Sequence, residues 1–158
     1  MGKTLEYSKG LTWALLLTAH AVVIERIGTR LAGAGLPPLT WYDVLWGLER
    51  AEGSRLRMHE LAEKVVLSRS NLTRLVDRLE QSGLVIRERS DEDRRGAFAV
   101  LTPEGKALRR KMWPVYEACI CDYFESVVSE QESRLLAETL QRMVSAARAN
   151  AAPERSVR

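Results

Sequence analysis

The sequence predicts a mainly helical α+β fold, with long helices at both ends of the chain and, between them, shorter helices followed by a β-hairpin. Three observations predict it. Apolar residues recur at helical spacing along most of the 158 residues. Residues 84–89 and 97–101 read instead as strands, and the run between them, Ser90-Asp91-Glu92-Asp93-Arg94-Arg95-Gly96, is polar and ends in glycine, as a hairpin loop does. A hydrophobic content of 46% is enough to build a core in a chain of this length without disulfide or metal staples.

The elements follow in order. Residues 11–31 form a first helix with two apolar stripes, Leu11, Leu15, Val22 and Leu16, Val23, Ile27, Leu31, which suggests contact with more than one surface. Gly33, Gly35, Pro37 and Pro38 stop it. Thr40 is the expected N-cap of a second helix, with Asp43 completing a box-like pair and Leu39 and Val44 placed as a hydrophobic staple. A short strand at 56–58 leads into a short helix over 59–66. After Leu67, Ser68 caps a longer helix to Gln81, whose buried stripe is Leu72, Leu75, Val76 and Leu79. Ser82-Gly83 ends that helix. Beyond the hairpin, Thr102 caps a helix with Pro103 in its first position. This helix is expected to run through Met112, Cys119 and Tyr123 to Val127, with a kink at Pro114. A last helix opens on the capping box Ser129-Glu130-Gln131-Glu132, and the tail frays from Asn150.

Composition narrows the function classes. The net charge of +3 permits a polyanionic partner without demanding one. The longest apolar stretch, 11–24, is interrupted by Thr18 and His20, is read as too short to cross a bilayer and lacks a small-residue cleavage site. The expected location is therefore cytoplasmic and nucleoid-associated. Cys119 falls on an apolar stripe and reads as a small buried hydrophobe; Cys121 lies off that stripe, with no partner base in view. The sequence has no CxxC, HExxH, P-loop or GxGxxG pattern, no nucleophile–base pair and no paired carboxylates in a plausible cleft. No enzymatic activity, metal or cofactor is expected.

The middle of the chain has the order of a helix-turn-helix with an appended wing. Its second helix would lie in the DNA major groove, with the apolar stripe turned to the protein. Ser68, Arg69, Ser70, Asn71, Thr73 and Arg74 are the candidate DNA-binding residues: Arg forks onto guanine, Asn pairs with adenine, and Ser and Thr serve bases or phosphates. Arg78, near the helix end, is expected to engage the neighbourhood of Asp77 instead. At the loop tip, Arg94 and Arg95 can enter a narrow minor groove, and Asp93 can brace an arginine across the loop.

The run from Leu67 to Glu80, then Gly83-Leu84-Val85, Asp93-Arg94-Arg95 and Leu101-Thr102-Pro103-Glu104-Gly105, resembles the multiple antibiotic resistance regulator (MarR) family over nearly the whole chain. The resemblance implies a single MarR-like domain, 1–158. In it, 37–101 is a winged helix-turn-helix DNA-binding lobe, and 5–36 with 102–150 is a helical dimerisation region. It implies an obligate homodimer on double-stranded DNA at a pseudo-palindromic operator, repression, and release by a small aromatic or phenolic effector. Arg95 corresponds to the family's wing arginine and Asp93 to its bracing aspartate. There are departures: Arg57-Met58-His59 stands where a Ser or Thr cap is usual, and the first helix lacks the cysteine of the family's peroxide sensors.

Trp13, His20, Trp41 and Trp46 are candidate effector-binding residues, with core packing the plainer reading of each. Lys106, Arg109, Arg110 and Lys111 form a basic run that reads as a solvated helix face. The alternative function is a winged-helix protein-interaction module without specific DNA binding.

Overall fold

A computed structural model describes residues 7–65, 69–89 and 97–150. The chain divides into two compact units, one ending at Cys119 and one beginning at Ile120.

The first unit contains α1 (Tyr7–Gly33), α2 (Leu39–Glu49), a short 3-10 turn, β1 (Arg55–Arg57), α3 (Met58–Lys64), α4 (Arg69–Gln81), β2 (Val85–Arg89), β3 (Ala97–Leu101) and most of α5 (Pro103–Ile120). The strands make one antiparallel sheet in the order β1-β3-β2, with Leu56 and Arg87 both opposite Ala99. This is the expected winged helix-turn-helix. Its core joins Val44, Leu45 and Leu48 of α2, Leu61 of α3, the α4 stripe Leu72, Leu75, Val76 and Leu79, and Val85 and Ala99 of the sheet. Period-2 burial sets the sheet's faces: Leu56, Val85 and Ala99 turn inward, whereas Ile86, Glu88 and Arg55 turn out.

Three local signals differ from expectation. Helix α2 begins at Leu39, with Pro38 as N-cap and no side-chain cap bond, so Thr40 lies inside the first turn. Pro38, at φ −56 and ψ 152, already aims its carbonyl at the Trp41 amide (2.9 Å), which starts the turn without a hydroxyl cap. Helix α3 lacks a Ser or Thr cap but gains half a capping box: the Arg57 amide donates to the Glu60 carboxylate at 2.8 Å. The other half needs an acceptor, and a guanidinium has none. Expected cap Ser68 lies outside the described residues.

Helix α1 is longer than expected. Ile27 and Leu31 are buried, while Leu11, Trp13, Leu15, Leu17, Val22 and Ile24 remain exposed. The contiguous apolar run 11–24 is short, as expected, but the helix that contains it has 27 residues and, by length and composition only, is long and apolar enough to cross a membrane.

The α4–β2 and β3–α5 corners are locked together. Gly83, at φ +70, closes α4 in the left-handed conformation, and the Leu84 amide reaches back to the Leu79 carbonyl at 2.9 Å. Thr102 caps α5 as expected: its Oγ1 accepts from the Gly105 amide (3.0 Å) and donates to the Gly83 carbonyl (2.8 Å). A Cβ on Gly105 would stand 2.2 Å from the Leu84 carbonyl oxygen, so only glycine lets α5 approach this turn.

The second unit holds a π-helical turn, Cys121–Glu125, and α6 (Glu130–Asn150). The helix expected to continue to Val127 leaves α geometry at Ile120, and the Ser126 amide bonds to the Cys121 carbonyl (3.0 Å), five residues back. The capping box of α6 is complete: the Ser129 amide donates to the Glu132 carboxylate at 2.9 Å, and the Glu132 amide donates to the Ser129 hydroxyl at 3.3 Å. The Ser129 hydroxyl, which donates to the Glu132 carboxylate at 2.6 Å, and the Ser129 amide hold that carboxyl below the usual range. Leu135 and Val144 of α6 are exposed.

Gly105→Ala is expected to lower stability by about 1–3 kcal/mol, because the clash is with backbone that cannot swing aside. Gly33→Ala, with nothing within 4 Å of its added methyl, should shift it little. Thermal melts of the two variants check this.

Candidate nucleic-acid interface

Helix α4 is sharply two-faced. Its buried stripe anchors it to α2, α3 and the sheet, which leaves Asn71, Thr73, Arg74 and Arg78 exposed on the opposite side. Thr40 of α2, together with Asn71, Arg74, Leu75, Asp77 and Arg78, lines an open recess of about 540 Å³. Two guanidiniums, an amide and a hydroxyl around one concavity make a surface suited to phosphates and base edges.

The backbone of Arg69 and Ser70 lies in the first turn of α4, but their side chains, and all of Ser68, Asp93, Arg94 and Arg95, lie outside the described residues. Arg78 does not pair as expected. Asp77 is engaged by Arg87 of β2 at 2.5 Å, and Arg87 also bonds the Glu80 carboxylate at 2.9 Å. Asp77 and Glu80 stand three residues apart on one helix face, a readable sign of a shared cation.

The candidate effector residues are spread over two helices. Trp13 and His20 are exposed on α1. On α2, Trp41 packs against the core, whereas Trp46 lies 6.4 Å from the Tyr42 ring and has the Arg50 and Arg109 guanidiniums over it at 5.4 and 5.1 Å. Sequence reading missed the centre of this group. Tyr42 is buried and meets Trp113 and Tyr116 of α5 at 6.2 and 5.0 Å. The available signal was spacing: Tyr42 and Trp46 are four apart, Trp113 and Tyr116 three apart, so each pair shares a helix face.

Charge around this aromatic group is also ordered. The basic run is partly engaged, since Arg109 and Lys106 both pair with Glu49 of α2. Burial pushes the Tyr42 and Tyr116 phenols up; at Tyr42 the Arg109 charge partly opposes it. Burial also pushes Asp43 up to about 6. Cys119 is buried, with an Arg30 nitrogen 3.9 Å from its sulfur. Among the described residues, no group of His, Cys, Asp and Glu could hold a metal ion.

A two-faced helix set beside a three-stranded wing sheet defines the class of winged-helix regulators. The MarR family profile matches residues 34–96. The regulator SarZ of Staphylococcus aureus is 33% identical over 106 residues, covering 67% of this chain and 68% of SarZ. MhqR of Bacillus subtilis is 37% identical over 86 residues, covering 54% of this chain; the match spans only 59% of MhqR's own length. Among solved structures, the MarR family regulator Sco3205 of Streptomyces coelicolor, determined in complex with DNA, superposes with a TM-score of 0.85 at 28% identity. That match covers 98% of this chain and 94% of Sco3205. The chain belongs to the MarR family of transcriptional regulators.

Asp43 predicts a pH dependence whose sign follows from burial. Its folded pKa is raised from 3.8 to about 6, so the folded state holds the proton more tightly and stability falls as pH rises between those values. Asp43→Asn should raise the melting temperature at pH 7 and leave it nearly unchanged near pH 4. Melts of both proteins across this range check it.

Proposed function

We propose that this chain is a cytoplasmic, nucleoid-associated, non-enzymatic regulator that binds a pseudo-palindromic operator as a homodimer, represses by occupying it, and is released by a small aromatic or phenolic ligand. The observation that carries this reading is the exposed Asn71–Arg74–Arg78 face of a helix whose other face is buried in the core. In this reading 37–101 is the DNA-binding lobe. Ser68, Arg69, Ser70, Asn71, Thr73 and Arg74 enter the major groove, Arg94 and Arg95 enter the minor groove, and Asp93 braces the wing. The structure of Sco3205 with DNA supports the partner.

Residues 5–36 and 102–150 form the dimerisation region. The exposed apolar side chains of α1 and, separately, those of α6 are what a second copy would cover. The ligand reading rests on aromatic density: Tyr42, Trp46, Trp113 and Tyr116 offer ring faces, and Arg109 offers a cation to an acidic or phenolic group. Trp13, His20 and Trp41 remain candidates for the same role. A ligand acts here only by binding one arrangement of the two DNA-binding lobes better than the other.

Genomic fragments selected by the purified protein at two salt concentrations test the reading. A short inverted repeat should be enriched, and sedimentation should give a dimer. Arg74→Ala should cost about 1–3 kcal/mol if it reads a base, or lower the salt slope by about 1 if it holds a phosphate. Arg95→Ala should weaken binding in the same assay. A folded dimer that recovers no common sequence would favour the protein-interaction module instead.

A further inference from the structure

Asp77 places a carboxylate in the same recess as Arg74 and Arg78, on the face assigned to DNA. An unmasked carboxylate there would repel phosphates at close range. Arg87 reaches it from the wing strand β2. One guanidinium nitrogen lies 2.5 Å from Asp77 Oδ1 and the other 2.9 Å from Glu80 Oε2, and the Arg87 amide donates to Glu80 Oε1 at 3.1 Å. The Arg87 side chain is half-buried, at 28% exposure. Arg74 and Arg78 are exposed and make no ion pair among the described residues. The Asp77 carboxylate is thus paired with a cation that it shares with Glu80, and among the described residues neither Arg74 nor Arg78 is drawn into that pairing.

We propose that Arg87 is a positioning residue for DNA binding: it acts through Asp77, masking that carboxylate so that it does not oppose the Arg74 and Arg78 charges that the recess presents to the phosphate backbone. The inference rests on the DNA-binding reading above. It assigns β2 an electrostatic task in addition to carrying the wing.

The test measures affinity for one duplex recovered by the fragment selection, using the full chain and its Arg87→Gln, Arg87→Lys, Asp77→Asn and Arg87→Gln/Asp77→Asn variants, each checked for folding by circular dichroism. Arg87→Gln should weaken binding about tenfold at low salt, the effect of one uncovered charge near phosphate. Raising the salt should shrink that penalty, because an exposed carboxylate is screened. Asp77→Asn alone should leave affinity within about threefold, and adding it to Arg87→Gln should restore affinity to the same range. Arg87→Lys, which keeps the charge, should also bind within about threefold of the parent.

Failure of Asp77→Asn to rescue a folded Arg87→Gln protein would overturn charge masking and make Arg87 a mechanical anchor through Glu80. An unchanged Arg87→Gln affinity would also overturn it. If Arg87→Gln fails to fold, Arg87→Lys decides: a folded lysine variant that has lost tenfold shows that charge is not the agent. A parent protein that binds no duplex would defeat the DNA-binding reading itself, which is a different result from tight parent binding with an indifferent Arg87.

Discussion

Burial of Leu72, Leu75, Val76 and Leu79 is the constraint on which the remaining architecture depends. These four side chains hold α4 against α2, α3 and the sheet, and each large apolar side chain so buried contributes about 1.5–3 kcal/mol. With that face committed, helical geometry leaves no choice about the other: Asn71, Arg74 and Arg78 must point away from the core. The recess they line is therefore a by-product of packing. Its chemistry is set by whichever residues occupy the positions the core does not need.

Electrostatic pairs then tie neighbouring elements together at their edges. Arg87 joins β2 to α4, and Glu49 joins α2 to α5 through Arg109 and Lys106. The Arg87 pairs are partly exposed and add modestly to stability, whereas Glu49–Arg109 is largely covered, so removing one partner there would strand a buried charge. Their greater effect is on direction. A forked guanidinium held by two carboxylates fixes the angle between the strand and helix that carry them.

The fold was legible in the sequence wherever one physical signal dominated. The α4 stripe, the Gly83 stop, the Thr102 cap and the Ser129–Glu132 box are each encoded within a turn or two, and each stands where expected. Signals failed where two competed. Thr40 looks like a cap, but Pro38 two residues earlier already starts the turn. The π turn after Ile120 has no residue signature, and a smooth apolar period concealed it. For the interface, the exposed face of α4 followed from periodicity. The engagement of Asp77 by Arg87 needs the register between a helix and a strand, which no local pattern carries. The Tyr42–Trp113–Tyr116 contacts were hidden for the same reason, since the two helices are far apart in the chain.

The contact at Gly105 has a mechanical consequence. Two bonds and one missing methyl join the start of α5 to the turn that ends α4: the Thr102 hydroxyl to the Gly83 carbonyl, and the Thr102 amide to the Leu84 carbonyl. The joint leaves no room for α5 to shift toward Leu84. With 18 residues, α5 is a rod of about 27 Å at helical rise. A tilt of this rod that carried Gly105 toward Leu84 would meet backbone, not open space.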